Sequence, residues 1–265
     1  MACSGINKDK LMDLKLPPFK PNLTVQSKND SMRIDMNYFL VAYEKNAKSD
    51  FINSIKSVDI NINLGNRSIR STKVKPEKIN KQFGEFRMSY ALFASAVFLL
   101  ENKNLRQENL TVELVIATNS SIYSYKKSVD ECLSMNISDN REVMDLLPTF
   151  YKIDTSTFAI GLLAKRNRMD NEEYLPSSEE MRAEVYSKMG SIIWSSNQDM
   201  NYTMQIGKVL PDSVDQTHLY LYQWDFMMNS GRKIPDGDYK IKLTIPAKPH
   251  PYFVISDFNL GGIND

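Results

Sequence analysis

The sequence predicts a mainly β protein: two β-sandwich (Ig-like) domains in tandem, with a short helix near their junction. Three observations carry this. Segments of alternating apolar and polar residues recur along the chain, with turn signals between them. Aromatic residues are plentiful, with 13 Tyr and 12 Phe, which suit half-buried pleated surfaces. Near the end, a Trp-Asp pair, a Gly turn, a Pro-x-Gly-x-Tyr corner and a last alternating strand follow one another as they do at the close of a small antiparallel sandwich.

Taken in order, residues 1–33 contain Pro17, Pro18 and Pro21 among many Lys, Asn and Ser, which reads as a tether or arm. A β-rich domain is expected over 34–148. Its first strand spans 34–43, and residues 58–64 alternate almost perfectly before the Gly65-Asn66 turn. Residues 68–74 then pair back as a hairpin. Residues 86–100 fit a helix or a strand, and their place between hairpins favours a strand. Residues 110–117 alternate again. A cap at Asp139 or Asn140, with apolar residues at 143, 146 and 147, predicts a short helix over 139–147, ended by Pro148.

An Ig-like sandwich is expected over 149–259. Strands are read at 157–165, at 184–196 through a Gly turn at 188–190, and then at 202–209, 219–226, 238–245 and 252–258. Residues 34–46 echo residues 153–167, which would suit two related modules.

Composition narrows the function classes. With 33 Lys+Arg against 32 Asp+Glu there is no overall basic field to collect phosphates, so nucleic-acid binding gains no support. No run of eighteen apolar residues occurs. Two cysteines exclude a disulfide framework. Neither His218 nor His250 belongs to a metal-ligand pattern, and no phosphate-cradling loop or nucleophile elbow appears. No catalytic residue, metal or cofactor is therefore assigned. Asp35, Asp59 and Asp154 alternate with apolar neighbours and are expected on solvent faces. Lys73, Lys75, Lys78 and Lys81 read as guards of a strand edge. Cys132 reads as a buried free thiol.

With those residues in view, the C-terminal half resembles the bacterial intracellular proteinase inhibitor family and the Ig-like module of flagellar hook-capping proteins. The matching residues are Gly190 and Trp194, then Trp224 and Asp225, then Pro235, Gly237 and Tyr239. About 100 of the 265 residues take part, and the resemblance implies a sandwich in which these residues build core and turns. Inhibitory contacts would lie in loops that do not match.

The start, Met1-Ala2-Cys3-Ser4-Gly5, resembles the mature N-terminus of a bacterial lipoprotein, which implies acylation at Cys3. Together these readings predict a non-enzymatic lipoprotein at the periplasmic face of the outer membrane or the cell surface, binding other proteins of an envelope assembly. A protease inhibitor acting through a loop of the C-terminal sandwich is the first alternative. A viral or phage structural subunit is the second.

Overall fold

The computed structural model describes residues 15–28, 31–99, 110–137, 142–170, 172–198 and 200–261. The protein is mainly β, its sheets packed face to face as sandwiches. In chain order the strands are β1 (Asn22–Lys28), β2 (Ser31–Ala42), β3 (Ser57–Leu64), β4 (Arg67–Val74), β5 (Glu77–Phe83), β6 (Arg87–Leu99), β7 (Leu110–Ala117) and β8 (Ile122–Ser128). They continue as β9 (Leu133–Ile137), β10 (Met144–Lys152), β11 (Phe158–Arg166), β12 (Arg182–Tyr186), β13 (Ile192–Ser195), β14 (Thr217–Trp224), β15 (Asp238–Ile245) and β16 (Tyr252–Asn259). Among the described residues one α-helix, α1 (Ala47–Ser54), follows β2.

A nine-stranded sheet, β13-β12-β15-β16-β9-β1-β2-β6-β5, runs through both halves of the chain, and β9 joins them by pairing with β16 on one side and β1 on the other. The four-stranded sheet β4-β3-β7-β8 packs with its N-terminal strands, and the three-stranded sheet β10-β11-β14 packs with its C-terminal strands.

Strand β2 shows why two cores form. Its even-numbered residues Met32, Ile34, Met36, Tyr38 and Leu40 enter an N-terminal core with Val58, Ile60 and Ile62 of β3 and Leu110, Val112, Leu114 and Ile116 of β7. The opposite face contributes Phe39 and Val41 to a C-terminal core with β10, β11, β14, β15 and β16. Side chains of a strand alternate between faces, so a strand covered on both sides is buried throughout its middle. The C-terminal core is aromatic: Phe158 lies within 6.2 Å of Phe150, Trp224, Phe226 and Phe258, ring centre to ring centre. Such pairs add about 0.5–1.5 kcal/mol each beyond the area they bury.

Several expectations change. Part of the expected arm is strand β1, seven residues paired in register with β2. Residues 142–143 lead into β10, so the helix expected over 139–147 does not form there; residues 139–141 lie outside the described residues. Pro148, expected to end that helix, sits inside β10, which lies at the edge of its sheet, the place where a strand tolerates a proline. Helix α1 is instead set by Asn46, whose side chain accepts from the N–H groups of Lys48 and Ser49 at 3.0 Å while the Ser49 hydroxyl accepts from Asn46 N–H. Residues 202–209 form no strand; they run beside residues 175–178, joined at the bridge Leu175–Gly207.

Candidate functional site

The residues singled out in the C-terminal half come together as the end of the sandwich. Trp194 of β13 and Trp224 of β14 are both buried, with ring centres 4.8 Å apart. The Trp224 indole N–H donates to the Met227 carbonyl at 3.0 Å, and Asp225 Oδ1 accepts from Met227 N–H at 3.1 Å. Between them Phe226 adopts φ +62° with its side chain in the core, a bulky residue in the left-handed region that sequence reasoning missed. Trp-Asp is thus the frame of a strained turn, a conformation that costs about 1–3 kcal/mol and persists because its surroundings over-determine it.

At the other corner the Tyr239 hydroxyl donates to the Pro235 carbonyl at 2.8 Å. Gly237, at φ +157°, turns the chain between them. Pro235 is exposed and Gly237 and Tyr239 are half-buried, so this corner lies at the surface and builds the module's turn. Cys3 lies outside the described residues.

Two features outside that frame have the character of sites. The first is a cavity of about 300 Å³ between the nine-stranded and three-stranded sheets, where β2 runs under β10. Its polar rim holds Arg33, Asp35, Lys75, Glu77, Asp145 and Lys165, three cations and three anions. Its apolar wall is Val74, Phe93, Leu146, Leu147 and Leu163. Arg33 Nε donates to Asp35 Oδ1 at 2.8 Å and Nη1 to Asp145 Oδ1 at 2.7 Å. Lys165 Nζ donates to Glu77 at 3.1 Å.

Asp35 was expected on a solvent face. It is 1% exposed, because β10 covers the face that alternation alone would leave in water. Its Oδ2 has no hydrogen-bond partner, and neither have Thr24 Oγ1, directly across on β1, and Asn37 Nδ2, two residues along β2. Asn37 Oδ1 accepts from Thr149 Oγ1 at 3.0 Å, which closes the seam at its far end. The sequence does carry a signal here: Arg33, Asp35 and Asn37 recur every second residue on a strand whose other face is apolar, a polar stripe that continues into Phe39 and Val41.

Of the other two aspartates, Asp154 is exposed and Asp59 is partly buried. Serine 156, through its N–H and hydroxyl, is the chief cause holding the Asp154 carboxyl below the usual carboxylate range. Of the four lysines, Lys73 lies on edge strand β4, and Lys75 reaches the cavity. Lys78 donates to the Asn53 carbonyl at 2.5 Å and Lys81 to the Leu219 carbonyl at 2.8 Å. They tie β5 to its neighbours as well as guarding an edge.

The second feature is the loop from 196 to 216. Backbone bonds from Ser178 N–H to the Thr203 carbonyl and between Leu175 and Gly207 hold it against residues 175–178. Below it, fully buried Arg166 donates to Glu173 and to the Pro211 carbonyl, and the Tyr252 hydroxyl donates to the same Glu173 carboxylate at 2.6 Å. Glu179 takes a two-pronged contact from Arg182, at 2.9 and 2.6 Å. On this fixed base Met200, Met204 and Ile206 point outward, Met204 at 90% exposure.

His218 and Cys132 are not placed for chemistry. Burial, with Lys81 3.4 Å away, pushes the His218 imidazole down to about 4. The half-buried Cys132 thiol donates to the Ser128 carbonyl at 3.3 Å and is pushed up to about 11, mainly by burial. It is therefore a weak nucleophile at neutral pH. Among the described residues no group of three or more His, Cys, Asp or Glu could hold a metal ion, and no helix is long and apolar enough to cross a membrane.

No protein-family model matches the chain, and no curated protein matches it. Among solved structures the chain is similar to dimeric latent PorU from Porphyromonas gingivalis, with 10% identity and a TM-score of 0.32 over 93% of this chain and 19% of that one. The chain spans about a fifth of that protein's length, and a likeness at this TM-score carries no argument about function.

Proposed function

We propose that this chain is a non-enzymatic binding or scaffold component of a bacterial cell-envelope assembly, held at a membrane by lipid on Cys3. The observation that carries the binding role is the clamped loop: Met200, Met204 and Ile206 stand in water on a base fixed by the buried Arg166–Glu173 pair and the half-buried Arg182–Glu179 pair. Flexible methionines on a surface suit adaptable apolar contact with a protein partner. The anchoring role rests on the resemblance of residues 1–5 to a lipoprotein start. Acyl chains would then confine the binding loop to the membrane surface.

Two experiments separate these parts. Metabolic labelling with a fatty-acid analogue should mark the native chain and not Cys3→Ser; an unmodified Cys3 in the native host defeats the anchor. A photocrosslinker placed at Met204 should capture one envelope protein, and Met200→Asp should abolish that capture. Crosslinking confined to lipid, or unchanged by the Asp variant, defeats the loop assignment.

A second reading draws on the same loop. Its attachment to residues 175–178 around Met204 would also suit a protease inhibitor that presents one outward side chain to a protease cleft. Full activity of a subtilisin-type protease in the presence of excess protein counts against it.

A further inference from the structure

We propose that the cavity at the seam of the two sandwiches binds a small zwitterion, an α-amino acid with an apolar side chain, its ammonium on Asp35 and its carboxylate on Lys75. The volume, about 300 Å³, lies at the small end of ligand pockets. The charges lining it sum to zero, which disfavours a ligand of large net charge and suits one whose two charges are separated. Within the lining, Arg33 is shared between Asp35 and Asp145, and Lys165 is paired with Glu77. What is left over is one buried acceptor, Asp35 Oδ2, and one cation, Lys75, which has no ion-pair partner among the described residues.

The leftover acceptor is costly as it stands. A buried carboxylate oxygen without a partner forfeits the solvation it had in water, and Arg33 answers only the other oxygen. Thr24 Oγ1, across the ladder on β1, is also without a partner but does not line the cavity; a group bearing several N–H donors in the cavity would answer the Asp35 carboxylate. An ammonium is such a group. Oδ2 is covered here, and the broad terminal torsion of an aspartate lets the carboxyl turn toward the cavity that the residue lines. Lys75, exposed at the cavity's rim, would take the anionic end, and Phe93, Leu146 and Leu163 would pack the apolar side chain. This inference is independent of the envelope role.

The test is calorimetric titration of the full chain with leucine, with 4-methylpentanoate (its carboxylate without the amine) and with 3-methylbutylamine (its amine without the carboxylate). Leucine should bind saturably, and each half-molecule at least about tenfold more weakly. Asp35→Asn should weaken leucine by about tenfold or more, since a charge-assisted bond becomes a neutral one. Lys75→Ala, at an exposed position that leaves the fold intact by circular dichroism, should weaken leucine and leave the amine unchanged; it decides the matter should Asp35→Asn fail to fold. Absence of saturable heat with leucine at millimolar concentration overturns the proposal, and would leave a buried water as the partner of Thr24, Asp35 and Asn37. An amine as good as leucine, or affinity unaltered by Lys75→Ala, overturns it equally.

Discussion

A methyl group on residue 161 would stand 2.6 Å from Thr149 Cγ2 and 3.5 Å from Phe39, so glycine at this point of β11 is a matter of space. Thr149 is held in turn by its bond to Asn37 and cannot move freely. Gly161→Ala is expected to lower stability by about 1–3 kcal/mol, as overpacking of a close-packed interior does, read as a fall in the urea midpoint with unchanged slope. His218 gives a second residue-scale expectation. Its folded pKa of about 4 lies below the unfolded value of about 6.5, so the unfolded chain takes up a proton that the folded chain refuses. The stability it contributes is complete above about pH 6.5 and is lost as pH falls toward 4. Between pH 7.5 and 4.5 the native chain should therefore lose more stability than His218→Gln; an imidazole titrating near 6.5 in the folded protein would refute this. Asp35 marks the limit of reading residues one at a time. Alternation says correctly that it faces away from Met36, but which face meets water depends on β10, more than a hundred residues later.

Residues 58–64 alternate and end at Gly65-Asn66, with Gly65 at φ +59°, and the hairpin β3–β4 follows. Residues 139–147 had a cap-like Asp and Asn and an i, i+3, i+4 pattern, yet β10 forms, because Phe150, Leu147 and Met144 gain more against β11 and β16 than a short helix gains by itself. Strand β13 is only four residues long, and its outer edge is closed by Asn229: its Oδ1 accepts from Ser195 N–H at 2.6 Å and its Nδ2 donates to the Ser195 carbonyl at 3.1 Å. The side chain imitates a neighbouring strand. Asn229→Ala should cost about 1–2 kcal/mol and speed exchange of the Ser195 amide in hydrogen-exchange measurements, while leaving the Trp194–Trp224 contact in place. Unaltered exchange at Ser195 would show that the edge needs no cover.

At the scale of the molecule, the mainly β class and the sandwich character of the C-terminal half were legible because they rest on periodicity and turn chemistry, which are local. The shared nine-stranded sheet was not, because strand order is set by pairings such as Val254 with Ile137 and Thr24 with Leu133 that leave little trace in either segment. That sheet has a thermodynamic consequence. Phe39, Val41, Phe83, Ala91 and Phe93 come from the N-terminal half but are buried in the C-terminal core, and Tyr151 of β10 packs against both cores. Unfolding either half would strip cover from the other and break the β9 pairings, so the two should melt together. Both tryptophans, Trp194 and Trp224, lie in the C-terminal core and report on it alone, whereas far-ultraviolet circular dichroism reports on every sheet. Urea transitions followed by the two signals should therefore coincide in midpoint and slope. A tryptophan transition separated from the dichroism transition would mean that the seam is weak enough for each half to fold by itself, and the polar stripe of Arg33, Asp35 and Asn37 is where that weakness would lie.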